Sequence, residues 1–378
     1  MPHNPLHNTF PWTKSPLIAN APMSGIATSA LAAAVTKAGG LGLIGFLNNR
    51  RRLETELRQA KSLLQNIHSQ PPACGVDSEP ASSSASENGD LDTDTLPIGI
   101  GIIVLAMSPS TLLPLLAQYK PAVVWLSFGE SHDFKQWTDS IRQTSPRTKV
   151  WIQLGSVRSA LEVAQSCRPD ALVLQGSDAG GHGHARGSSI VTLLPEVADS
   201  LSRAGIEGVP LIAAGGIMDG RGVAAALALG AAGVVMGTRF LGAVETDLPR
   251  EYRDEVLAAW DGGESTVRSR VFDEMWGDNL WPEVYDGRCL TNRCYEDLEG
   301  GMDVREMRER LYWRMSRAQS GEEVALRNTS ALWAGSGVGM LREIETAREI
   351  VHRVQEEAEH RLRHTASQLS AIRHAVRD

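Results

Sequence analysis

Short apolar segments alternate with helical patterns over the first 240 residues. The apolar segments lie at 17–21, 41–45, 97–104, 122–127, 149–154, 171–175, 209–213 and 232–236, with seven helical patterns between them. Strands that are continuously apolar are typical of parallel sheets covered by helices. Eight βα repeats therefore predict an α/β fold of the TIM (β/α)8 barrel type. An open, doubly wound sheet is the alternative, because periodicity alone does not separate the two.

Two regions interrupt this alternation. Residues 69–96 are rich in Ser, Pro, Asp and Glu, and such a composition buries too little apolar surface to offset the entropy of ordering the chain. We therefore expect a disordered insertion there. In 245–330, tryptophans are scattered among charged residues without strand alternation, which predicts a second, smaller and mainly helical domain covering the barrel mouth.

The C-terminal part returns to a helical pattern. Residues 340–364 place apolar side chains on one face of a long amphipathic helix. We expect this helix to close the barrel or to contact a second subunit in a homodimer. The predicted barrel domain thus comprises 1–244 and 331–378, and the second domain comprises 245–330.

The composition indicates which kinds of partner the protein binds and where in the cell it acts. The net charge of −8 argues against a nucleic-acid-binding or anionic-membrane-binding surface, which would need a basic field. No apolar run approaches the roughly 20 residues that span a bilayer. The N-terminal residues lack the apolar core of a secretory signal, and four scattered cysteines do not suggest a disulfide framework. We expect a cytoplasmic protein that binds neither nucleic acid nor membrane.

The barrel prediction also places a site, because TIM-barrel active sites lie at the carboxyl ends of the strands. Gly215-Gly216 and Gly237-Thr238 follow the last two predicted strands, where barrels commonly bind phosphate. Glycine lacks a Cβ, so its backbone N–H can approach a phosphate closely. Neither a P-loop nor a strand-linked G-x-G-x-x-G appears. The pattern favours a phosphate-bearing cofactor held by the barrel itself.

Several stretches together resemble the nitronate monooxygenase family, formerly called 2-nitropropane dioxygenases. They are NAPMSGIATSALAAAVTKAGGLGLIG (20–45), VVWLSFG (123–129), WIQLGSV (151–157), LQGSDAGGHGH (174–184), VPLIAAGGIMDGRGVAAALALGAAGVVMGTRFL (209–241) and WAGSGVGMLREI (333–344). The AGGH and AAGGI…GTRF blocks are specific as a pair. The resemblance covers most of 16–245 and returns at 333–350.

The resemblance implies FMN in the barrel mouth. The segment after the first strand would pass along the flavin ring: Ala21, Pro22, Met23 and Ser24. Gln175 would lie at the polar edge of the ring. The ribityl phosphate region would be held by Gly180, Gly181, Gly215, Gly216, Gly237 and Thr238. The glycine-rich turn 335–339 could close over the same face. Gln153 and Met236, at the ends of the fifth and eighth predicted strands, complete the expected cofactor-binding set.

His182 matches the histidine of the family's AGGH block, so the resemblance implies that it is catalytic. The family oxidises alkyl nitronates with flavin and O₂, giving a carbonyl compound and nitrite. An imidazole could orient the nitronate anion, or could remove the α proton of a neutral nitroalkane near neutral pH. The resemblance gives no such role to His184, for which we expect a non-catalytic position.

Two other functions fit parts of the pattern. FMN-dependent NAD(P)H reductases of the enoyl-acyl-carrier-protein or quinone type share both glycine blocks and differ in the electron donor. His182 and His184 with Asp178 resemble a fragment of a metal-dependent hydrolase site. The first strand, however, is followed by Pro22, Met23 and Ser24, which are poor ligands for zinc or a hard metal. We therefore expect no metal.

Overall fold

A computed structural model describes residues 5–65, 95–322, 324–328 and 330–375. Eight parallel strands form the central sheet, and strands are labelled in chain order throughout. They are β1 (Ile18–Asn20), β2 (Leu43–Ile44), β3 (Leu96–Ile103), β4 (Pro121–Ser127), β5 (Lys149–Leu154), β6 (Ala171–Gln175), β8 (Leu211–Ala214) and β9 (Gly233–Met236). Their spatial order is β1-β9-β8-β6-β5-β4-β3-β2. An isolated parallel bridge between Ala19 and Leu41 joins the two ends, so the predicted TIM barrel is confirmed.

Helices follow the barrel strands as expected. They are α2 (Ser29–Lys37), α3 (Arg50–Leu63), α4 (Pro109–Tyr119), α5 (Ser131–Thr144), α6 (Val157–Cys167), α7 (Ile190–Arg203) and α8 (Gly220–Ala228), after a short α1 (Pro5–Thr9). Side-chain caps define several of their first residues. The Asp219 carboxylate accepts hydrogen bonds from the N–H groups of Arg221 and Gly222 at the start of α8, which satisfies donors that a helix N-terminus leaves free.

The barrel strands are apolar on both faces because each face packs against a different core. On β4, the side chains of Val123 and Trp125 point into the barrel, whereas those of Val124 and Leu126 pack against the surrounding helices. Phe10, just after α1, packs into the core inside the barrel. Its ring meets the Trp151 ring edge-on, with 5.9 Å between the centroids. Side chains at alternate positions of a strand must point to opposite faces, so most strand positions are apolar, with exceptions such as Asn20 on β1 and Gln153 on β5.

Asn20, at the end of β1, completes the barrel closure with its side chain. Its Nδ2 donates to the carbonyl oxygens of Leu43 (2.8 Å) and Ala21 (3.0 Å), and its Oδ1 accepts from the N–H of Leu43 (2.9 Å). On the other side of β2, the N–H of Gly99 donates to the carbonyl of Gly42. The fully buried Asn20 side chain therefore joins the end of β1 to Leu43 of β2.

A second, antiparallel sheet lies over the barrel mouth. It has three strands in the order β10-β11-β7: β7 (Gly181–His184), β10 (Thr266–Ser269) and β11 (Tyr285–Leu290). The sequence pattern predicts no strands at these positions. These strands show no alternation of apolar and polar residues along the sequence. β7 reads GHGH, without a large apolar side chain, and β10 and β11 contain Arg268 and Arg288.

The rest of 245–330 is mostly helical within the described residues. It contains α9 (Arg250–Ala258), α10 (Gly262–Ser265), α11 (Val271–Glu274), α12 (Arg293–Glu299) and α13 (Val304–Gln319). The division of the chain into a barrel domain and a separate 245–330 domain stays a prediction. The expected disordered insertion at 69–96 lies outside the described residues except for 95 and 96, and Leu96 is already part of β3.

The C-terminal helix α14 (Ala347–Ala375) begins later than the sequence pattern predicts. The preceding residues are extended because Glu345 forms a parallel bridge with Ala243, in which its N–H bonds to Gly242 and its carbonyl oxygen to Val244. The buried face of α14 packs against α8 and α2, which places this helix on the outside of the barrel. None of the helices in the described part of the chain is long and apolar enough to cross a bilayer.

Candidate active site

A cavity of about 520 Å³ lies at the carboxyl ends of the barrel strands, under the β7-β10-β11 sheet. Its volume is within the range of small-molecule sites, roughly 300–1,000 Å³. All predicted site residues except one line it: Ala21, Pro22, Met23, Ser24, Gln153, Gln175, Gly180, Gly181, His182, Gly215, Gly216, Gly237 and Thr238. The barrel therefore brings together predicted site residues from five separate parts of the chain.

Met236 is the predicted site residue that does not line the cavity. Its side chain is buried in the outer core, whereas the preceding Val235 points inward and borders the cavity. The alternation of side chains along β9 explains the difference. Met236 still positions the site through its backbone, because its carbonyl oxygen accepts the N–H of Ala21 at 2.9 Å.

The floor of the cavity is formed by the segment after β1. The Pro22 ring lies against Gly101 of β3, where an added Cβ would approach the Pro22 Cβ to 2.4 Å. The Ser24 hydroxyl donates to the carbonyl of Phe46 at 2.9 Å. These contacts hold an apolar surface in place at the mouth of the barrel.

A chain of directed hydrogen bonds crosses three neighbouring strands at one edge of this floor. Trp125 Nε1 donates to Gln153 Oε1 (3.2 Å), and Gln153 Nε2 donates to Gln175 Oε1 (3.0 Å). Gln175 Nε2 then donates to the carbonyl oxygen of His182 (3.0 Å). Because Trp Nε1 can only donate, this chain fixes both glutamine amides, and each retains one N–H and one lone pair for a ligand.

Another side of the cavity is lined by several glycines, which expose their backbone to it. Gly215 and Gly216 have φ values of 101° and 73°, in the region that favours glycine. At Gly180, an added Cβ would lie 2.5 Å from the carbonyl carbon of Ala334 and from the nitrogen of Gly335. Gly335 in turn donates its N–H to Thr238 Oγ1 at 2.9 Å. Three glycine-containing loops therefore meet at this side, including the 335–339 turn that the sequence placed here.

His182 projects from β7 into the cavity and is held by residues that sequence reasoning missed. Its Nε2 lies 2.9 and 3.0 Å from the two carboxylate oxygens of Asp273, and the two side chains are 15% and 14% exposed. The imidazole stacks on the Trp281 ring, with 3.8 Å between the centroids and an angle of 11°. Trp333 contacts it at 4.7 Å, tilted by 47°.

Phe128 is a further aromatic residue beside His182, and its backbone is strained. Its φ of 59° is in the left-handed region, which is a true outlier for a bulky side chain and marks functional sites more often than others. The Phe128 ring meets Trp281 edge-on at 4.9 Å and Tyr285 at 5.2 Å. Its contact with the His182 ring is longer, at 6.4 Å.

His184 does not line the cavity. Its Cβ packs against Gly155, at the end of β5, and its Nδ1 is buried without a hydrogen-bond partner in the described part of the chain. Burial lowers the pKa of His184 below its ordinary value, and the positive charge of Arg268 lowers it further. His184 is thus packed beside the barrel strands outside the cavity, whereas His182 lines the cavity.

The metal-dependent hydrolase alternative would need a set of metal ligands among the described residues. Within the described residues, no three His, Cys, Asp or Glu side chains lie close enough together to hold a metal ion. Asp178 instead accepts from the Ser336 hydroxyl at 3.1 Å, and the carbonyl of Asp178 accepts the Ser336 N–H. Asp178 thus attaches the 335–339 turn to the loop that follows β6.

Comparison with known proteins agrees with this architecture. The family model for nitronate monooxygenase matches residues 8–357. The nitronate monooxygenase npaC of Metarhizium robertsii is 39% identical over 93% of this chain and 94% of its own length. A nitronate monooxygenase of Neurospora crassa is 36% identical over 95% and 93%. A solved structure of FabK from Thermotoga maritima matches with a TM-score of 0.69 and 24% identity, covering 98% of this chain and all of that one.

Proposed function

The chain belongs to the nitronate monooxygenase family of oxidoreductases, and from this premise we propose that it oxidises alkyl nitronates with FMN and O₂ to a carbonyl compound and nitrite. The observation that carries the proposal is the position of His182. It faces a cavity with an apolar floor on one side and bare glycine backbone on the other. The cytoplasmic location and the homodimer expected from the sequence stay predictions.

The chemistry of the cavity walls fits FMN. A flat, largely apolar ring system with one polar edge matches the floor at Ala21–Met23 and the glutamine amides beside it. A phosphate-bearing chain matches the glycine side, because backbone N–H groups without neighbouring Cβ atoms can approach an anion closely. Gly216 and Gly237 would hold that phosphate, with the Thr238 hydroxyl as an additional donor. The neighbouring Arg239 is already engaged with Glu345.

The residues of the chain would bind and orient the substrate. Bound FMN would supply the electron transfer and the reaction with O₂. His182 would hold the nitro group or receive the α proton, because it is the only imidazole among the described cavity-lining residues. The rings of Phe128, Trp281 and Trp333 would exclude water from the alkyl part of the substrate.

Anaerobic mixing tests the proposed reaction. The purified protein, loaded with FMN, is mixed separately with ethyl nitronate and with NADH, and the flavin absorbance is followed. We expect the nitronate to reduce the flavin rapidly. Rapid reduction by NADH alone would replace the proposal with an FMN-dependent reductase. An apoprotein that does not take up FMN would contradict both.

The variant His182→Asn tests the assigned side chain. We expect its kcat/KM with neutral nitroethane to fall at least about 100-fold, which is the usual contribution of a general base. His184→Asn is the matched control, and we expect it to stay within about threefold of wild type because His184 does not reach the cavity. Equal losses in the two variants would mean that His182 has no special role.

A further inference from the structure

The contact between Asp273 and His182 determines which imidazole nitrogen can accept a proton. An ionised carboxylate can only accept hydrogen bonds, so the nitrogen that faces Asp273 must carry a hydrogen. That nitrogen is Nε2, and both carboxylate oxygens lie within hydrogen-bond distance of it. A neutral imidazole then has its lone pair on Nδ1. No described residue donates a hydrogen bond to the Nδ1 atom of His182.

The imidazole cannot rotate freely to exchange its two nitrogens. Trp281 covers one face of the ring at 3.8 Å, and Phe128 stands nearly perpendicular to it at 82°. Asp273 is itself fixed, because it lies on α11 and its N–H bonds to the carbonyl of Arg270 at 3.0 Å. The arrangement therefore holds one tautomer in one orientation.

We infer that Asp273 is a positioning residue, which keeps His182 in the Nε2–H form so that Nδ1 removes the α proton of a neutral nitroalkane. This inference rests on the proposed function. In the step, the proton moves from the α carbon to Nδ1, and the electron pair of the C–H bond remains on the substrate, which becomes the nitronate. The imidazole becomes an imidazolium, and the carboxylate of Asp273 offsets its charge. No oxidant or reductant takes part.

Ethyl nitronate has already lost its α proton and needs no base, whereas nitroethane does. Comparing the two substrates therefore isolates the proton-transfer step. In Asp273→Asn, the amide can donate to Nε2 and so stabilise the wrong tautomer, and it carries no charge. We expect kcat/KM with nitroethane to fall at least about 100-fold, while kcat/KM with ethyl nitronate stays within about threefold. The isotope effect on kcat/KM with α-dideuterated nitroethane should rise. Asp273→Glu should recover part of the loss.

The matched control is Asp278→Asn, five residues further along and exposed, for which we expect both activities unchanged within twofold. Equal losses with nitroethane and with ethyl nitronate in Asp273→Asn would overturn the inference, because a purely structural defect lowers both. A wild-type enzyme that oxidises ethyl nitronate but not nitroethane would overturn it too. If ethyl nitronate itself is not oxidised, the proposed function fails.

A measurement without turnover tests the tautomer directly. The ¹⁵N chemical shifts of labelled histidine distinguish the protonated from the unprotonated ring nitrogen, and the His182→Asn spectrum assigns the signal. We expect an Nε2–H imidazole in wild type and a loss of that preference in Asp273→Asn. An Nδ1–H imidazole at His182 in wild type would overturn the inference whatever the substrate of the enzyme is.

Discussion

Replacing Asn20 by alanine removes the side chain that joins β1 to β2. The N–H and the carbonyl oxygen of Leu43 both bond to this amide, and the position is fully buried. In Asn20→Ala these two backbone groups lose their partners inside the protein. A buried polar group left without a hydrogen bond costs about 1–3 kcal/mol, so two such groups should lower the free energy of unfolding by about 2–6 kcal/mol.

Urea denaturation followed by circular dichroism measures this loss in the free energy of unfolding. The control is Gln118→Ala, which removes an amide from an exposed position on α4. Exposed substitutions of this kind usually change stability by less than about 0.5 kcal/mol. A loss below about 1 kcal/mol for Asn20→Ala would refute the argument that this side chain closes the barrel.

Two further predictions concern the glycine side and the second histidine. Gly180→Ala should raise the FMN dissociation constant at least tenfold by fluorescence titration, because the new Cβ would collide with Ala334; Gly263→Ala, at an exposed helix start, should not. Burial and the charge of Arg268 lower the pKa of His184, so its contribution to stability is full above about pH 6.5 and is lost as the pH falls toward that lowered pKa. The melting temperature should therefore fall less between pH 7.5 and pH 5 in His184→Gln than in wild type. An equal fall in the two proteins would contradict this.

The barrel was predictable because its signal is local. Each strand of β3 to β6 is a run of mostly apolar residues, and a helix with its own periodicity separates it from the next barrel strand. Once the strands are in order, the barrel rule places their carboxyl ends together, and this alone located the glycine loops and Gln175. Met236 is a strand-end residue that does not line the cavity, because the rule gives the end of a strand but not the face that a side chain occupies.

The partners of His182 carry no comparable signal. Asp273 is 91 residues away along the chain, in a region for which the sequence predicts only a mainly helical domain. The scattered tryptophans of 245–330 were a sign that this region packs against something, and Trp281 does stack on the imidazole. Which aromatic ring meets which histidine depends on the pairing of β7 with β11, and a strand composed of Gly and His has no hydrophobic alternation from which to predict it.

The pairing of β7 with β11 has a consequence for how ligands can enter. His182 faces Gly287 in the register of the two strands, and Asp286 and Arg288 flank that pair. A movement that lifts 285–290 away from the barrel must therefore break this ladder or pull the imidazole out with it. Entry that leaves the imidazole in place is restricted to segments outside the ladder, such as the 276–284 turn with Trp281. If 285–290 did move away with β7, His182 would leave the cavity, and the enzyme would be inactive until the strands returned.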